Sequence, residues 1–289
     1  PFYWRTNKKD LNVPPAEDDN IFEITPSKEQ EQLATIIHEI ETNVLTRYIR
    51  LLQASTNPAL LTEKIDLNNL GFLFDEVDFS VEGALDSKEI AEAKQKTYFD
   101  LNVDSIKTPK FEKGMQLIRQ LVSEGKKVLV WGMFVGTMRK IHQELNNAGI
   151  FSHLIYGATP KDDRVDLINE FRDGDVQVLI SNPATLGESI SLHQSVHDAV
   201  YFEYNFNLTF MLQSRDRIHR LGLSADQYTR YYYLMSEGTS AHKSFIDKQV
   251  YDRLKEKEKV MLNAIDGQFL LPEISDDYLD DVKKILFRE

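Results

Sequence analysis

Gln213–Gly222 reads QSRDRIHRLG and is the most informative segment of this 289-residue chain. It places Arg217 and Arg220 three residues apart, so a helix would present both side chains on one face. Two planar, permanently charged guanidinium groups side by side are suited to binding phosphate oxygens. Because the segment lies between apolar runs at 199–202 and 231–234, which are typical of buried strands, we predict an arginine pair at the rim of a parallel sheet.

From Thr108 onward, short apolar runs alternate with amphipathic stretches, which is the pattern of a parallel sheet covered by helices on both faces. Ligands of such sheets bind beyond the carboxyl ends of the strands, where Gly157 and Ser181 are expected to lie. The predicted strands are 127–131, 153–156, 176–180, 199–203 and 228–235, and the predicted helices include 208–220 and 239–263.

The sequence before Thr108 divides into a linker and a helical extension. Residues 1–24 show no regular pattern and are interpreted as a linker, whereas 25–107 are predicted to be helical, with an acidic insertion at 62–106. The sheet-forming lobe is assigned to 108–263 and an acidic tail to 264–289.

The pattern Gln-x-x-Asp-Arg-x-His-Arg-x-Gly of Gln213–Gly222 resembles motif VI of superfamily 2 nucleic-acid-dependent ATPases, especially of the Swi/Snf-type branch. Leu223 is a departure, because the family often has Gln at that position. Other segments resemble further motifs of the family in the same order: 1–11 the inter-lobe passage, 127–134 motif IV, Gly157 with Arg164 and Phe171 the next helix start, 178–192 motif V, and 203–207 the segment before motif VI. The resemblance implies an α/β fold, a RecA-like second motor lobe of the P-loop-NTPase type.

The resemblance also implies roles for individual residues. Arg217 and Arg220 would be catalytic, reaching ATP on a partner lobe and stabilising charge on the transferred phosphoryl group. The nucleotide site would further include Gln213, Gly187 and Glu188, although motif V usually has paired glycines and only Gly187 is present. Backbone phosphates of a nucleic acid would be bound at strand ends and at a helix start, by Ser181, Gly157, Thr159 and Lys161.

The sequence contains no Gly-x-x-x-x-Gly-Lys-Ser/Thr loop, which would cradle nucleotide phosphates. Residues 75–78 (DEVD) imitate an acidic metal-binding box, but they lie in an acidic stretch without such a loop upstream. The chain also begins at Pro1. We therefore expect the second half of a two-lobe motor cut from a longer protein, with ATP and Mg²⁺ held mainly by the absent N-terminal RecA-like lobe.

The net charge of −12 by itself argues against a nucleic-acid binder, but the charge is unevenly distributed. Residues 62–106 have a net charge of −7 and residues 264–289 of −4, whereas residues 108–148 have a net charge of +4. The predicted lobe therefore retains basic surface, and we expect sequence-independent binding of DNA through its phosphates.

The composition also limits the setting in which the protein works. The absence of cysteine excludes disulfides and suits a reducing, intracellular location, such as the cytoplasm of a bacterial-type cell. No segment approaches the ~20 apolar residues that span a bilayer, so no membrane partner is expected.

Two local patterns have a functional and a structural interpretation. His193 and His197 are four residues apart but have no cysteine or obvious third ligand nearby, so we predict no metal site. Trp131 and Phe134 could stack on bases, but large aromatic side chains beside an apolar strand favour core packing.

Arg215 is expected to point away from the Arg217 face of the predicted helix and to contribute less to ATP turnover than Arg217 or Arg220.

The function predicted from these patterns is the second motor lobe of a DNA-stimulated ATPase that translocates on duplex DNA and is inactive as an isolated lobe. One alternative is a strand-separating superfamily 2 helicase acting on DNA or RNA. The other is a protein-interaction module that uses the acidic insertion and tail.

Overall fold

The computed structural model describes residues 11–65, 70, 86–186, 190–238, 244–266 and 278–287. These residues fall into two compact units. The first contains the described residues of Pro1–Phe22, Gly114–Phe202 and Thr209–Tyr233, and the second those of Glu23–Lys113, Glu203–Leu208 and Leu234–Glu289.

Six strands form one sheet in the order β1-β6-β5-β2-β4-β3. The four pairings β3–β4, β4–β2, β2–β5 and β5–β6 are parallel. Their bounds are β1 Asn20–Ile24, β2 Val128–Trp131, β3 Ser152–Ile155, β4 Val178–Ser181, β5 Asp198–Tyr201 and β6 Arg230–Ser236. The parallel sheet predicted from the alternating pattern is therefore present.

The middle strands of the sheet are buried at every position, which explains why their sequences are continuously apolar. In the register, Trp131 of β2 lies opposite Ser181 of β4 and Tyr201 of β5. The aromatic rings continue the core, since the Tyr201 ring stacks on the Tyr233 ring with centroids 4.6 Å apart.

Nine helices occur among the described residues, in addition to short 3₁₀ turns at Pro58–Thr62 and Val103–Ser105. They are α1 Lys28–Ile40, α2 Val44–Thr56, α3 Lys88–Asp100, α4 Pro109–Ser123, α5 Val135–Asn147, α6 Lys161–Asp173, α7 Leu208–Arg215, α8 Asp247–Asp266 and α9 Tyr278–Phe287. None of these described helices combines the length and apolar character that crossing a membrane requires.

Local sequence signals explain several helix ends. Ser27 caps α1 in a capping box with Gln30, as its position before the apolar stripe predicts. Gly125 after α4 and Gly149 after α5 both have positive φ angles, 78° and 76°, which glycine adopts without steric cost. Each glycine follows the last turn of an amphipathic stretch, which is the sequence signal for a helix end.

The structure differs from the sequence interpretation at both ends of the chain. Asn20–Ile24 lies in the stretch interpreted as an irregular linker, yet it forms the edge strand β1. Its hydrogen-bonding partner in the sheet is β6, which is more than 200 residues away in sequence, and local sequence patterns do not indicate such a partner.

Within the segment interpreted as an acidic tail, α9 packs an apolar face into the second unit through Val282, Ile285 and Leu286. Residues 75–78 lie outside the described residues.

A buried polar network lies in the second unit. The Lys110 ammonium is 3.0 Å from an oxygen of Asp247, and the exposed fractions of the two side chains are 0% and 3%. Asp247 also accepts the backbone N–H of Ser236 at 2.7 Å and is 3.3 Å from the Ser55 hydroxyl. The carboxylate at the start of α8 thus has three partners. The helix was predicted to begin at 239; residues 239–243 lie outside the described residues, and the described helix begins at Asp247.

We expect Lys110→Met to lower the free energy of unfolding by about 3–5 kcal/mol, because it leaves the Asp247 carboxylate buried without its counter-charge. The control is Arg172→Ala, which removes an exposed ion pair with Asp173 and should change the free energy of unfolding much less. Urea unfolding of the two variants measures the difference, and equal losses would contradict the importance assigned to the buried pair.

Candidate functional site

Helix α7 ends at Arg215, before the arginine pair. The N–H groups of Arg217 and Ile218 bond the carbonyls three residues earlier, at 3.4 and 3.3 Å, as in a tightening last turn. The carbonyl of Arg217 accepts the N–H of Leu192 at 3.0 Å. The prediction of one helix over 208–220 is therefore wrong. The Arg217 carbonyl bonds the N–H of Leu192, instead of the N–H four residues later that it would bond in a continuing helix.

The arginine pair lies at the amino-terminal edge of the sheet. Arg217 and Arg220 stand between α7 and the start of β6, and Leu192 stands shortly before β5. Since β5 and β6 are parallel, both loops meet at the edge where these strands begin. Gly157 and Ser181 follow or end strands, so they lie at the opposite, carboxyl-terminal edge. The structure thus separates the predicted nucleotide-binding arginines from the predicted nucleic-acid contacts.

Arg217 is held inside the loop, whereas Arg220 is exposed. Arg217 has 8% of its surface exposed, and one of its guanidinium nitrogens donates to the carbonyl of Ile190 at 3.3 Å. Burial lowers the pKa of Arg217 from its ordinary value, and the positive charge of Arg220 lowers it further, while Asp216 partly offsets the shift. The charge of Arg220 thus disfavours the neighbouring charge of Arg217, so a bound anion would be stabilised there.

A histidine supports the turn that follows the arginines. Gly222 has a φ of 102°, and a Cβ built there would meet Nε2 of His193 at 3.0 Å. His193 is 8% exposed, and its Nδ1 lies 2.5 Å from the Ser191 hydroxyl. Burial lowers the pKa of His193, and the charges of Arg220 and His197 lower it further. The imidazole is therefore favoured in its neutral form beside the second arginine.

The remaining predicted nucleotide-site residues are only partly placed. Gln213 is half-buried on α7, two residues before its end. Gly187 and Glu188 lie outside the described residues, which stop at Leu186 and resume at Ile190.

The turn after β3 brings together three of the residues predicted to bind nucleic acid, Gly157, Thr159 and Lys161. Arg164 organises this turn, because its guanidinium donates to the carbonyls of Gly157 and Thr159 at 2.9 and 2.7 Å. No side-chain hydrogen bond caps the start of α6, and Lys161, its first residue, is exposed. Asp162 and Asp163 also occupy that turn, and their charge opposes phosphate binding.

Ser181 is fully buried, and its hydroxyl donates to the carbonyl of Ile155 at 2.7 Å. In this arrangement the hydroxyl joins β4 to β3 and offers no donor to solvent, so the geometry does not support the predicted contact with a nucleic-acid phosphate. Trp131 and Phe134 are also buried, with 0% and 4% of their surfaces exposed, which confirms core packing for both.

Sequence reasoning missed the contacts of Arg215. Its guanidinium lies 3.1 Å from Asp19 and 4.3 Å from the centre of the Tyr231 ring. The Tyr231 hydroxyl also donates to the Arg215 carbonyl at 2.9 Å. Arg215 and Arg217 therefore have different partners, and the expectation that Arg215 contributes less stays a prediction. The acidic run 17–19 was visible in the sequence, but nothing local indicated a partner 196 residues away.

Metal binding finds no support in the described part of the chain, where no group of three or more His, Asp or Glu side chains could hold an ion. His193 and His197 both have pKa values lowered by burial, which describes neutral, packed imidazoles.

Residues 109–222 match the family model described as Helicase conserved C-terminal domain. Among curated proteins, the chain is similar to Chromatin-remodeling ATPase INO80 of Saccharomyces cerevisiae, with 26% identity over 161 residues, covering 55% of this chain and 10% of that protein. A Caenorhabditis elegans homolog of the SWI/SNF-related matrix-associated actin-dependent regulator of chromatin subfamily A containing DEAD/H box 1 is 29% identical over 165 residues, covering 52% of this chain and 16% of that protein. The chain thus spans a small part of these relatives.

Solved structures share the fold. The C-terminal part of the Fun30 ATPase domain matches with a TM-score of 0.59 at 18% identity, covering 94% of this chain and 99% of that one. The Sulfolobus solfataricus SWI2/SNF2 ATPase core domain matches with a TM-score of 0.52 at 16% identity, covering 90% of this chain and 46% of that one. The predicted fold, a RecA-like α/β lobe, is confirmed.

Gly222→Ala tests the contact beneath the arginine turn, with Gly149→Ala as the matched control. Both glycines have positive φ, but a Cβ at Gly149 meets no atom within 4 Å. Each alanine should cost roughly 1–2 kcal/mol from the left-handed backbone. Gly222→Ala should lose about 1 kcal/mol or more in addition, because the new methyl group crowds His193.

Urea unfolding of both variants gives the comparison. Introducing His193→Ala should shrink the cost of Gly222→Ala, because it removes the atom that the methyl group meets. Equal costs for the two glycine variants, or no change in the His193→Ala background, would show that His193 does not support this turn.

Proposed function

We propose that this chain, which has the fold of a RecA-like C-terminal lobe and matches the Helicase conserved C-terminal domain model over residues 109–222, is the second motor lobe of a Swi2/Snf2-type, DNA-stimulated ATPase that translocates on duplex DNA. The observation that carries this proposal is the paired, mutually repelling guanidinium groups of Arg217 and Arg220 on a loop anchored to Ile190 and Leu192.

The arginines suit the chemistry of phosphoryl transfer. Negative charge spreads over the oxygens of the transferred group in the transition state, and fixed cations stabilise it. Arg217 is prepositioned by its bond to the Ile190 carbonyl, which reduces the reorganisation needed when an anion arrives. Arg220 is exposed, so its guanidinium can adjust to the nucleotide held by another lobe.

The described residues fit half of a nucleotide site. They supply cations for phosphate oxygens, but they contain no cluster of carboxylates that would hold Mg²⁺. The complementary lobe would therefore hold ATP and the metal, which neutralises charge on the phosphates when bound. For this reason we propose that the chain alone does not hydrolyse ATP.

The carboxyl-terminal edge supports the DNA part of the proposal. Gly157 and Lys161 are exposed on a turn organised by Arg164, and α6 opens there without a side-chain cap. Contacts of this kind recognise phosphate and not base sequence. Asp162 and Asp163 in the same turn, together with the net charge of −12, should keep the affinity low.

The alternatives lead to different results. A strand-separating helicase acting on DNA or RNA would release a labelled strand from a partial duplex, whereas a duplex translocase would displace a bound roadblock without separating the strands. A protein-interaction module would retain its binding partners after loss of both arginines. Part of the C-terminal tail is less available for that role, because α9 is held to α8 by the Arg253–Asp281 ion pair.

In the full-length protein that carries this lobe, Arg217→Ala and Arg220→Ala should each reduce DNA-stimulated ATP turnover by about 10³-fold or more, as loss of an arginine finger does elsewhere. Lysine at either position should restore little, because it lacks the planar fork. Nucleotide affinity should change much less than turnover.

Steady-state ATPase assays and nucleotide titrations measure these quantities, with the exposed Arg119→Ala on α4 as the control. The isolated chain should show only background turnover with or without DNA. Near-normal turnover in both arginine variants would refute the catalytic role assigned to Arg217 and Arg220. Robust turnover by the isolated chain would refute the proposal that it supplies only half of the nucleotide site.

Binding of this chain to duplex DNA should be weak, independent of base sequence and strongly reduced by salt, because release of counterions from phosphates drives such binding. Fluorescence anisotropy with two unrelated duplexes over a range of salt concentrations tests this. Lys161→Ala should weaken binding equally for both duplexes and reduce the salt slope by about one unit. A preference for one duplex that persists at high salt would contradict the proposal.

A further inference from the structure

Residues 215–222, which include Arg217 and Arg220, are here called the arginine loop, and the segment from Pro14 to Asp19 is called the brace. The brace contacts the arginine loop at two points. Asp19 pairs with Arg215, with 3.1 Å between the charged atoms and exposed side-chain fractions of 7% and 18%. Nε2 of His219 lies 2.8 Å from the carbonyl of Pro14. A carbonyl oxygen only accepts, so Nε2 carries the proton and donates it.

These two contacts lie on either side of Arg217. Arg215 is the last residue of α7, residues 216–218 form a turn, and His219 follows that turn. The two contacts therefore fix residues 216–218 at both ends. The Arg217 carbonyl is anchored separately to Leu192. Below the loop, Tyr231 stacks on the Arg215 guanidinium and donates to its carbonyl.

The brace is attached to the sheet at a third point through Glu17, whose carboxylate pairs with Arg230 and not with a residue of the arginine loop. The Glu17 N–H donates to the carbonyl of Thr229 at 2.9 Å, and the Glu17 carboxylate pairs with Arg230 at 2.5 Å. This pair is more exposed than that of Asp19, with side-chain fractions of 43% and 35%. Glu17 therefore offers an acidic control in the same segment.

We propose that Asp19 and His219 are positioning residues, which hold the loop so that Arg217 and Arg220 are presented to phosphate. Neither touches the nucleotide: Asp19 acts through Arg215, and His219 acts through the Pro14 carbonyl. This inference rests on the proposed function, because it assigns Asp19 and His219 a role in the same phosphoryl-transfer site.

The test uses the full-length protein with Asp19→Asn, which keeps the shape of the side chain and removes its charge. We expect kcat for DNA-stimulated ATP hydrolysis to fall about 10- to 100-fold, because a small misplacement of a catalytic group has effects of that size. KM for ATP should stay within about twofold, since most nucleotide contacts lie elsewhere. Glu17→Gln should leave kcat and KM near the original values.

Three further measurements separate positioning from general destabilisation. Amide hydrogen exchange of residues 216–222 should accelerate in Asp19→Asn, while that of β2 and β5 should not. His219→Ala should lower kcat, and His219→Gln, which retains an N–H donor, should recover part of it. In an Arg217→Ala background, Asp19→Asn should lower kcat by a smaller factor than in the original protein, because one of the two groups that it positions is gone.

The outcomes distinguish this inference from the proposed function. If Arg217→Ala abolishes turnover but Asp19→Asn behaves like Glu17→Gln, only the positioning role is overturned. If Arg217→Ala itself has normal turnover, the proposed function fails. Accelerated exchange throughout β2 and β5 in Asp19→Asn would overturn the positioning role by showing a general loss of stability.

Discussion

The backbone hydrogen bonds that join β2 to β4 and β5 are the constraint on which the rest of this structure depends. These strands are buried along their whole length, so each N–H and carbonyl group has to be satisfied within the ladder. The resulting register places Trp131 level with Ser181 and Tyr201. Because the strands begin and end together, loops distant in sequence meet at two defined edges of the sheet.

The arginine loop shows how that alignment acts on chemistry. The loop before β5 supplies the N–H of Leu192 and the carbonyl of Ile190, and both bond Arg217. A guanidinium of this kind is useful to phosphoryl transfer only if its position is set before the anion arrives. The sheet therefore contributes to the site indirectly, because it determines where the loop before β5 contacts the loop before β6, which carries Arg217.

Charge is used in opposite ways at different places in the protein. In the second unit, Lys110 is buried against Asp247, and Arg253 is paired with Asp281, so these charges are neutralised where they lie. In the first unit, burial and the neighbouring Arg220 both lower the pKa of Arg217. Paired charges contribute to structural uniqueness, whereas like charges held together create an attractive potential for an anion such as phosphate.

The sequence by itself determined strands β2 to β6, several helix ends, the core role of Trp131, and the arginine motif with the fold that it indicates. These features depend on local periodicity and on short spacings, which a linear chain displays directly. Only the tertiary structure decided that α7 stops at Arg215, that Asn20–Ile24 is a strand, and that Asp19 pairs with Arg215. Each of these depends on a partner far away in sequence: the N–H of Leu192, the edge of β6, and a carboxylate 196 residues away. Such contacts form only after the sheet has brought its edges together, so no local pattern encodes them.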